Sequence, residues 1–180
     1  MKVQKKASEM TPRELAAYID QSVLKSEFTQ EEIRKYIQEG VDFGCATVCV
    51  NPASLDIAAE LTKGTDTKIC VVCDFPFGLS TTESKVLQAK AYCKRGDIFE
   101  LDIVANYGWI RSGMWEEVKE EIRAVCDVCH AYDTADGKAK VKGSGCIRSR
   151  EHFLDLIDMG IDRMGIGYRS TPVVLGLKEE

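Results

Sequence analysis

Four times along this chain a helix-like stretch ends in glycine, passes an aspartate and runs into a short apolar segment: Gly40-Val41-Asp42, Gly64-Thr65-Asp66, Gly96-Asp97 and Gly160-Ile161-Asp162. Glycine supplies the left-handed conformation that stops a helix, so each site reads as a helix-to-strand junction. The segments that follow the first three, residues 46–50, 69–72 and 98–104, are strand-length and rich in β-branched side chains. Strict alternation of helix and strand predicts an α/β chain with a parallel sheet.

Helix starts are marked independently. Thr11-Pro12-Arg13-Glu14, Thr29-Gln30-Glu31-Glu32 and Ser80-Thr81-Thr82-Glu83 fit the capping box, in which a hydroxyl and a carboxylate three residues on satisfy free backbone amides. Asn51-Pro52 and Ser149 begin two further helices by cap chemistry. The predicted order is a short opening helix, strand 17–21, helix 29–39, strand 45–50, helix 52–63, strand 68–73, helix 81–95, strand 98–104, helix 113–131, strand 139–143, helix 150–159 and strand 163–167. Residues 133–137 read as a tight loop.

With 180 residues, 44% of them hydrophobic, the chain has material for one core, and residues 1–180 are expected to form a single domain. A net charge of −5 without a basic stripe points away from nucleic acid. No apolar run approaches the roughly 20 residues that span a bilayer. The charged start Met1-Lys2-Val3-Gln4-Lys5-Lys6 has no apolar core behind it, so no signal peptide is read and the cytoplasm is the expected location. The eight cysteines are then expected as reduced thiols within apolar segments. Cys70 and Cys73 lie three apart on a strand and face opposite sides. Cys126-Asp127-Val128-Cys129-His130 matches the spacing of haem attachment but falls on an amphipathic helix whose buried stripe reads as Trp115, Val118, Ile122 and Val125, so buried helix thiols are expected there. His130 and His152 both fall on helices. No metal site and no cofactor are expected.

Alternation along the strands assigns the charged residues to faces. Glu100 and Asp102 share one side, Leu101 and Ile103 the other; Lys140 and Lys142 share a side opposed by Val141. A barrel gathers such groups on its inner face, with catalytic side chains toward the carboxyl ends of the strands. Imine formation suits the set, because an amine attacks a carbonyl only when unprotonated, and burial beside a second cation lowers a lysine's pKa. Lys142 would be the nucleophile with Lys140 as its neighbour, Asp102 a proton shuttle and Asp20 a positioning partner. The competing reading makes Lys140 and Lys142 guards of an exposed edge strand. The turn Gly143-Ser144-Gly145 offers backbone amides to an anion.

These residues resemble the deoxyribose-phosphate aldolase family over roughly residues 12–170. Residues 18–25 (YIDQSVLK) are similar to its Asp-His-Thr-Leu-Leu-Lys motif, and residues 46–52 (ATVCVNP) match its second strand. Asp74-Phe75-Pro76-Phe77-Gly78 with Thr81-Thr82-Glu83 looks like Gly-Phe-Pro-Leu-Gly followed by Thr-Thr-Glu. Residues 100–104 (ELDIV), with Gly108 and Ser112-Gly113, continue the match, and residues 141–148 (VKGSGCIR) are similar to the Lys-Ala-Ser-Gly-Gly-Ile-Arg run of strand seven.

The resemblance implies a TIM-barrel class I aldolase that cleaves 2-deoxyribose 5-phosphate into acetaldehyde and glyceraldehyde 3-phosphate through a lysine imine, without a metal. It places Asp102 as the proton relay, Lys142 as the second lysine that tunes the nucleophile, and Cys49 near the active site. The family's imine lysine belongs to a Lys-Thr-Ser-Thr-Gly run on strand six, and this chain has no such run. Two strand–helix units are absent, roughly 60 residues at about 30 per unit. The expected fold is therefore TIM-barrel-derived, with about six strand–helix units instead of eight. After the last strand, where the family has Gly-Thr-Ser or Gly-Ala-Ser phosphate donors, this chain has Gly165-Ile166-Gly167-Tyr168-Arg169, and Arg169 stands as a substitute donor.

Six strands close a narrower ring or leave a gap between the fourth strand and the one carrying Lys142. A gap calls for a homo-oligomer. Two functions follow: an aldolase-like lyase acting on a sugar phosphate or small aldehyde through Lys142, or a non-catalytic relative that binds a sugar phosphate or a protein partner. A third possibility is a shortened chain with no selected small-molecule function.

Overall fold

A computed structural model describes residues 5–132, 142–144 and 147–179. Six parallel strands are hydrogen-bonded in the order β4-β3-β2-β1-β6-β5: β1 Ile19–Val23, β2 Thr47–Val50, β3 Lys68–Cys73, β4 Glu100–Ile103, β5 Lys142–Ser144 and β6 Arg163–Gly167. Helices alternate with them: α1 Pro12–Ala16, α2 Gln30–Phe43, α3 Leu55–Thr62, α4 Thr82–Cys93, α5 Tyr107–Arg111, α6 Trp115–Ala131, α7 Arg150–Asp158 and α8 Thr171–Val174. The sheet curls into a half-barrel. The last strand pairs with the first, as barrel closure demands, while β4 and β5 are left as the two edges. Of the two expected outcomes for a shortened ring, the gap is the one observed among the described residues.

The capping chemistry holds for α1 and α2, where Thr11 with Glu14 and Thr29 with Glu32 form reciprocal boxes. A hydrogen bond from Lys5, with those from Thr11, holds the Glu14 carboxyl down to about 2. Ser149 caps α7 by accepting from the His152 amide. At α4 the cap is Thr81, not Ser80, because the Ser80 hydroxyl donates to Asp74 instead. Asn51 opens a short 3-10 turn without a side-chain cap bond, and its amide donates to the Leu24 carbonyl.

Gly64, Gly96 and Gly160 have the positive φ expected of helix terminators. Gly40 does not end its helix: α2 continues to Phe43 and stops at Gly44, φ 76°. Gly40 is small for another reason, since a Cβ there would lie 2.8 Å from Val48 Cγ1. It lets α2 sit directly on the sheet.

The outer faces of the strands carry the core. Val23, Val48, Val50, Ile69 and Val71 pack with Ile37, Leu55 and Ala58 of α2 and α3. Ile19, Met164 and Ile166 pack with Leu15, Phe153, Ile157 and Leu175. Each such side chain contributes about 1.5–3 kcal/mol on full burial, and their period of two leaves the alternate residues for the inner face.

Two elements depart from expectation. Residues 107–111 form α5, in a stretch that the predicted order leaves unassigned between strand 98–104 and helix 113–131. In α6 the buried stripe is Val118, Glu121, Val125 and Val128, while Trp115 and Ile122 are exposed. The helix is turned because Glu121 is drawn inward to Lys85, at 2.7 Å, and Ile122 is thereby rotated out. Cys126 is consequently exposed and Cys129 half-buried, correcting the expectation of buried helix thiols. His130 and His152 are both exposed.

Candidate active site

The parallel register brings the inner-face residues of four neighbouring strands into line. Asp20 pairs with Thr47 and Ser22 with Cys49; Cys49 pairs with Cys70; Cys70 pairs with Glu100 and Val72 with Asp102. Asp20 is fully buried, accepts a 2.8 Å hydrogen bond from the Thr47 hydroxyl and lies 3.5 Å from Arg163 Nε. Burial, with the charge of Asp20 adding to it, pushes the nearby Cys45 thiol up to about 12. Asp102 is half-buried, and one of its oxygens lies with the sulfurs of Cys49 and Cys70 in a group whose atoms are all within 4.8 Å of one another.

Glu100 and Asp102 therefore face inward, and Leu101 and Ile103 pack outward against the helices, as the alternation predicts. Cys70 and Cys73 indeed diverge: the first meets Cys49 inside, the second lies against the Lys85 carbonyl.

Lys142, Gly143 and Ser144 form β5, with Lys142 opposite Arg163 and Ser144 opposite Gly165 in β6. Since Gly165 also pairs with Asp20, the β5 edge is two strands from the buried aspartate. Asp102 belongs to β4, at the opposite edge of the sheet. Lys140 and Gly145 lie outside the described residues. Gly167 and Arg169 are exposed at the end of β6, and the Arg169 guanidinium carbon lies 5.5 Å from the ring centre of Tyr168. Tyr168 in turn stacks on Tyr36, ring centres 3.9 Å apart, and meets Phe28 edge-on.

Thr47, Cys70 and Arg163 complete these contacts and are absent from the sequence-derived set. Thr47 was within reach of it, lying two residues before Cys49 on the same face; Arg163 was not, because nothing local shows that β6 returns beside β1.

A parallel α/β half-barrel whose inner face carries the buried Asp20, the half-buried Glu100 and Asp102 and two buried thiols defines the chain as a TIM-barrel-derived protein, with two edges among the described residues where a closed ring has none. No family model matches the chain. Deoxyribose-phosphate aldolase of Clostridium kluyveri is 30% identical over 208 aligned positions, covering 87% of this chain and 95% of that protein. That of Staphylococcus saprophyticus is 40% identical over 216, covering 92% and 97%, and that of a Geobacillus species 42% identical over 159, covering 87% and 68%. This chain belongs to the deoxyribose-phosphate aldolase family. The two longer alignments exceed its 180 residues, so those relatives carry a segment that it lacks.

Among solved structures, a Coccidioides immitis protein described as a deoxyribose-phosphate aldolase superposes with TM-score 0.77 at 22% identity, over 93% of this chain and 85% of that one. An aldolase called QR15 gives 0.73 at 25%, over 91% and 95%, and the tetrameric deoxyribose phosphate aldolase of Aeropyrum pernix 0.66 at 21%, over 92% and 91%. Among the described residues no helix is long and apolar enough to cross a membrane.

Proposed function

We propose that the chain is an aldehyde-lyase of the deoxyribose-phosphate aldolase type, acting on a deoxysugar phosphate or a small aldehyde through an imine on Lys142. The observation that carries this reading is the inner face itself: buried Asp20, held by Thr47 and Arg163, shares one register row with Ser144 through Gly165, two residues beyond Lys142 on β5.

In the proposed reaction the Lys142 amine adds to the substrate carbonyl and water leaves, giving an iminium. That cation accepts the electron pair released when the neighbouring carbon–carbon bond breaks. Asp102 takes the hydroxyl proton as the aldehyde fragment departs and returns a proton to the enamine carbon; water then frees the two-carbon product. Lys140 keeps the amine deprotonated by charge repulsion, Asp20 positions Lys142, and Cys49 borders the pocket. The amides of Gly143, Ser144 and Gly145, with Gly165, Gly167 and Arg169, receive the phosphate.

Incubation with acetaldehyde and borohydride tests the reading. Intact-mass analysis and peptide mapping are expected to place a reduced two-carbon adduct on Lys142, absent from Lys142→Ala and diminished in Lys140→Ala. Calorimetric heat with deoxyribose 5-phosphate but no adduct and no turnover would replace it with a binding protein.

A further inference from the structure

We infer that Lys85 and Glu121 are positioning residues for Asp102: their buried ion pair fixes the carboxyl end of β4 and so sets where the Asp102 carboxylate stands on the inner face. The inference rests on the proton-relay role proposed for Asp102. β4 has β3 as its one strand neighbour among the described residues, so its other side lacks the ladder that a closed ring would supply. The chain just beyond Asp102 is held instead from α4 and α6. The Val104 amide donates to the Cys73 carbonyl at 3.0 Å, and the Val104 carbonyl accepts from Lys85 Nζ at 3.0 Å. The Asn106 amide donates to Glu121 Oε2 at 3.2 Å, and the Asn106 side chain caps α5 by accepting from the Trp109 amide. Gly78, whose carbonyl also accepts from Lys85, abuts the same stretch: a Cβ there would lie 2.6 Å from the Ala105 carbonyl oxygen. Glu121 Oε1, 2.7 Å from Lys85 Nζ, joins the two anchors.

The plain alternative is an ion pair that only stabilises the fold. Both side chains are shut off from solvent, and such a pair is often no more stabilising than apolar side chains of similar volume. Its contacts are also selective, with Asp74 and Gly78 in the segment after β3, and Val104 and Asn106 in the segment after β4. That is the end of a barrel where strands deliver catalytic groups. A misplacement of about 1 Å can lower a rate about 100-fold, so a fixed strand end has a use that stability does not supply. The Asp102 side chain has contacts of its own on the inner face; the ion pair acts on the backbone that carries it.

The test compares the full wild-type chain with Lys85→Met/Glu121→Leu, which removes both charges and keeps the side-chain bulk, after circular dichroism has shown both to be folded. Trapping of acetaldehyde on Lys142 with borohydride needs the amine but no placed carboxylate, and is expected at wild-type yield. Cleavage of deoxyribose 5-phosphate is expected to lose about 10- to 100-fold in kcat with KM unchanged, the pattern of an interaction made in the transition state. Exchange of acetaldehyde methyl protons with deuterated solvent, which passes through the relay, is expected to slow by the same factor. Glu121→Gln has one oxygen to serve either Lys85 or the Asn106 amide; it is expected to lie between the two proteins, and decides the matter if the double variant does not fold. A folded variant with wild-type kcat and exchange, or one that loses adduct and turnover in equal proportion, overturns the positioning role alone. Wild-type protein without turnover or exchange overturns the aldolase reading, and the inference falls with it.

Discussion

Lys85 extends from α4 into a space closed to solvent and finds four oxygens there: Glu121 at 2.7 Å, the carbonyls of Gly78 and Val104 at 2.9 and 3.0 Å, and Asp74 at 3.6 Å. Glu121 spends its second oxygen on the Asn106 amide, so one ion pair ties the loops after β3 and β4 to α6. Sequence gave no sign of it, since a lysine and a glutamate on helices read as solvent-facing. Removing one partner strands a buried charge, and Glu121→Ala is expected to cost about 3–5 kcal/mol in urea unfolding. Lys85→Met with Glu121→Leu removes both charges and is expected to recover most of that loss. Asp74, at φ 59° where the family motif has glycine, belongs to the same node. Burial works to raise its pKa, but hydrogen bonds from the Ser80 hydroxyl and amide, with Lys85 nearby, outweigh it and the pKa is lowered. A depressed folded pKa means that the stabilisation is fully present above the usual value of 3.8 and is lost as pH falls through the folded value. The stability gap between wild type and Asp74→Asn, followed by denaturant midpoint, is therefore expected to be constant near neutral pH and to close below that value.

Elements whose identity rests on local chemistry were legible. The period of two in β4 assigned Glu100 and Asp102 to the inner face, and Thr11 and Thr29 marked the N-caps of their helices, although α2 runs on to Phe43 past the expected end at 39. Elements oriented by distant partners were not. The apolar positions of α6 favoured Trp115 and Ile122, and only the buried lysine of another helix explains the observed rotation. Gly40 makes the same point in α2, because its glycine-aspartate spacing imitates a terminator while the real constraint is the 2.8 Å approach to Val48. In an open helix Gly→Ala stabilises by about 0.5–1 kcal/mol. Here the new methyl also meets Gln21 Cβ at 3.3 Å, and Gly40→Ala is expected to destabilise by about 1–3 kcal/mol of overpacking, seen as a lower thermal midpoint.

For the whole molecule, the family motifs gave the place of the gap, between the fourth strand and the one carrying Lys142, because missing motifs translate into missing neighbours in a barrel. What they do not encode is how the two loose edges are managed. β4 and β5 each have one strand neighbour among the described residues, where a closed ring would give two. Parallel edges present backbone donors and acceptors that a second chain can satisfy. The loops beside β4 add exposed apolar surface, with Phe77 73%, Leu79 67% and Tyr107 65% accessible, and such residues together favour association over solvation. Size-exclusion chromatography with light scattering is expected to return a dimer or larger species at micromolar concentration. Phe77→Ser with Tyr107→Ser should shift it toward monomer without loss of helical signal. A stable wild-type monomer would mean that the edges are met within one chain, and would overturn the expectation of an oligomer.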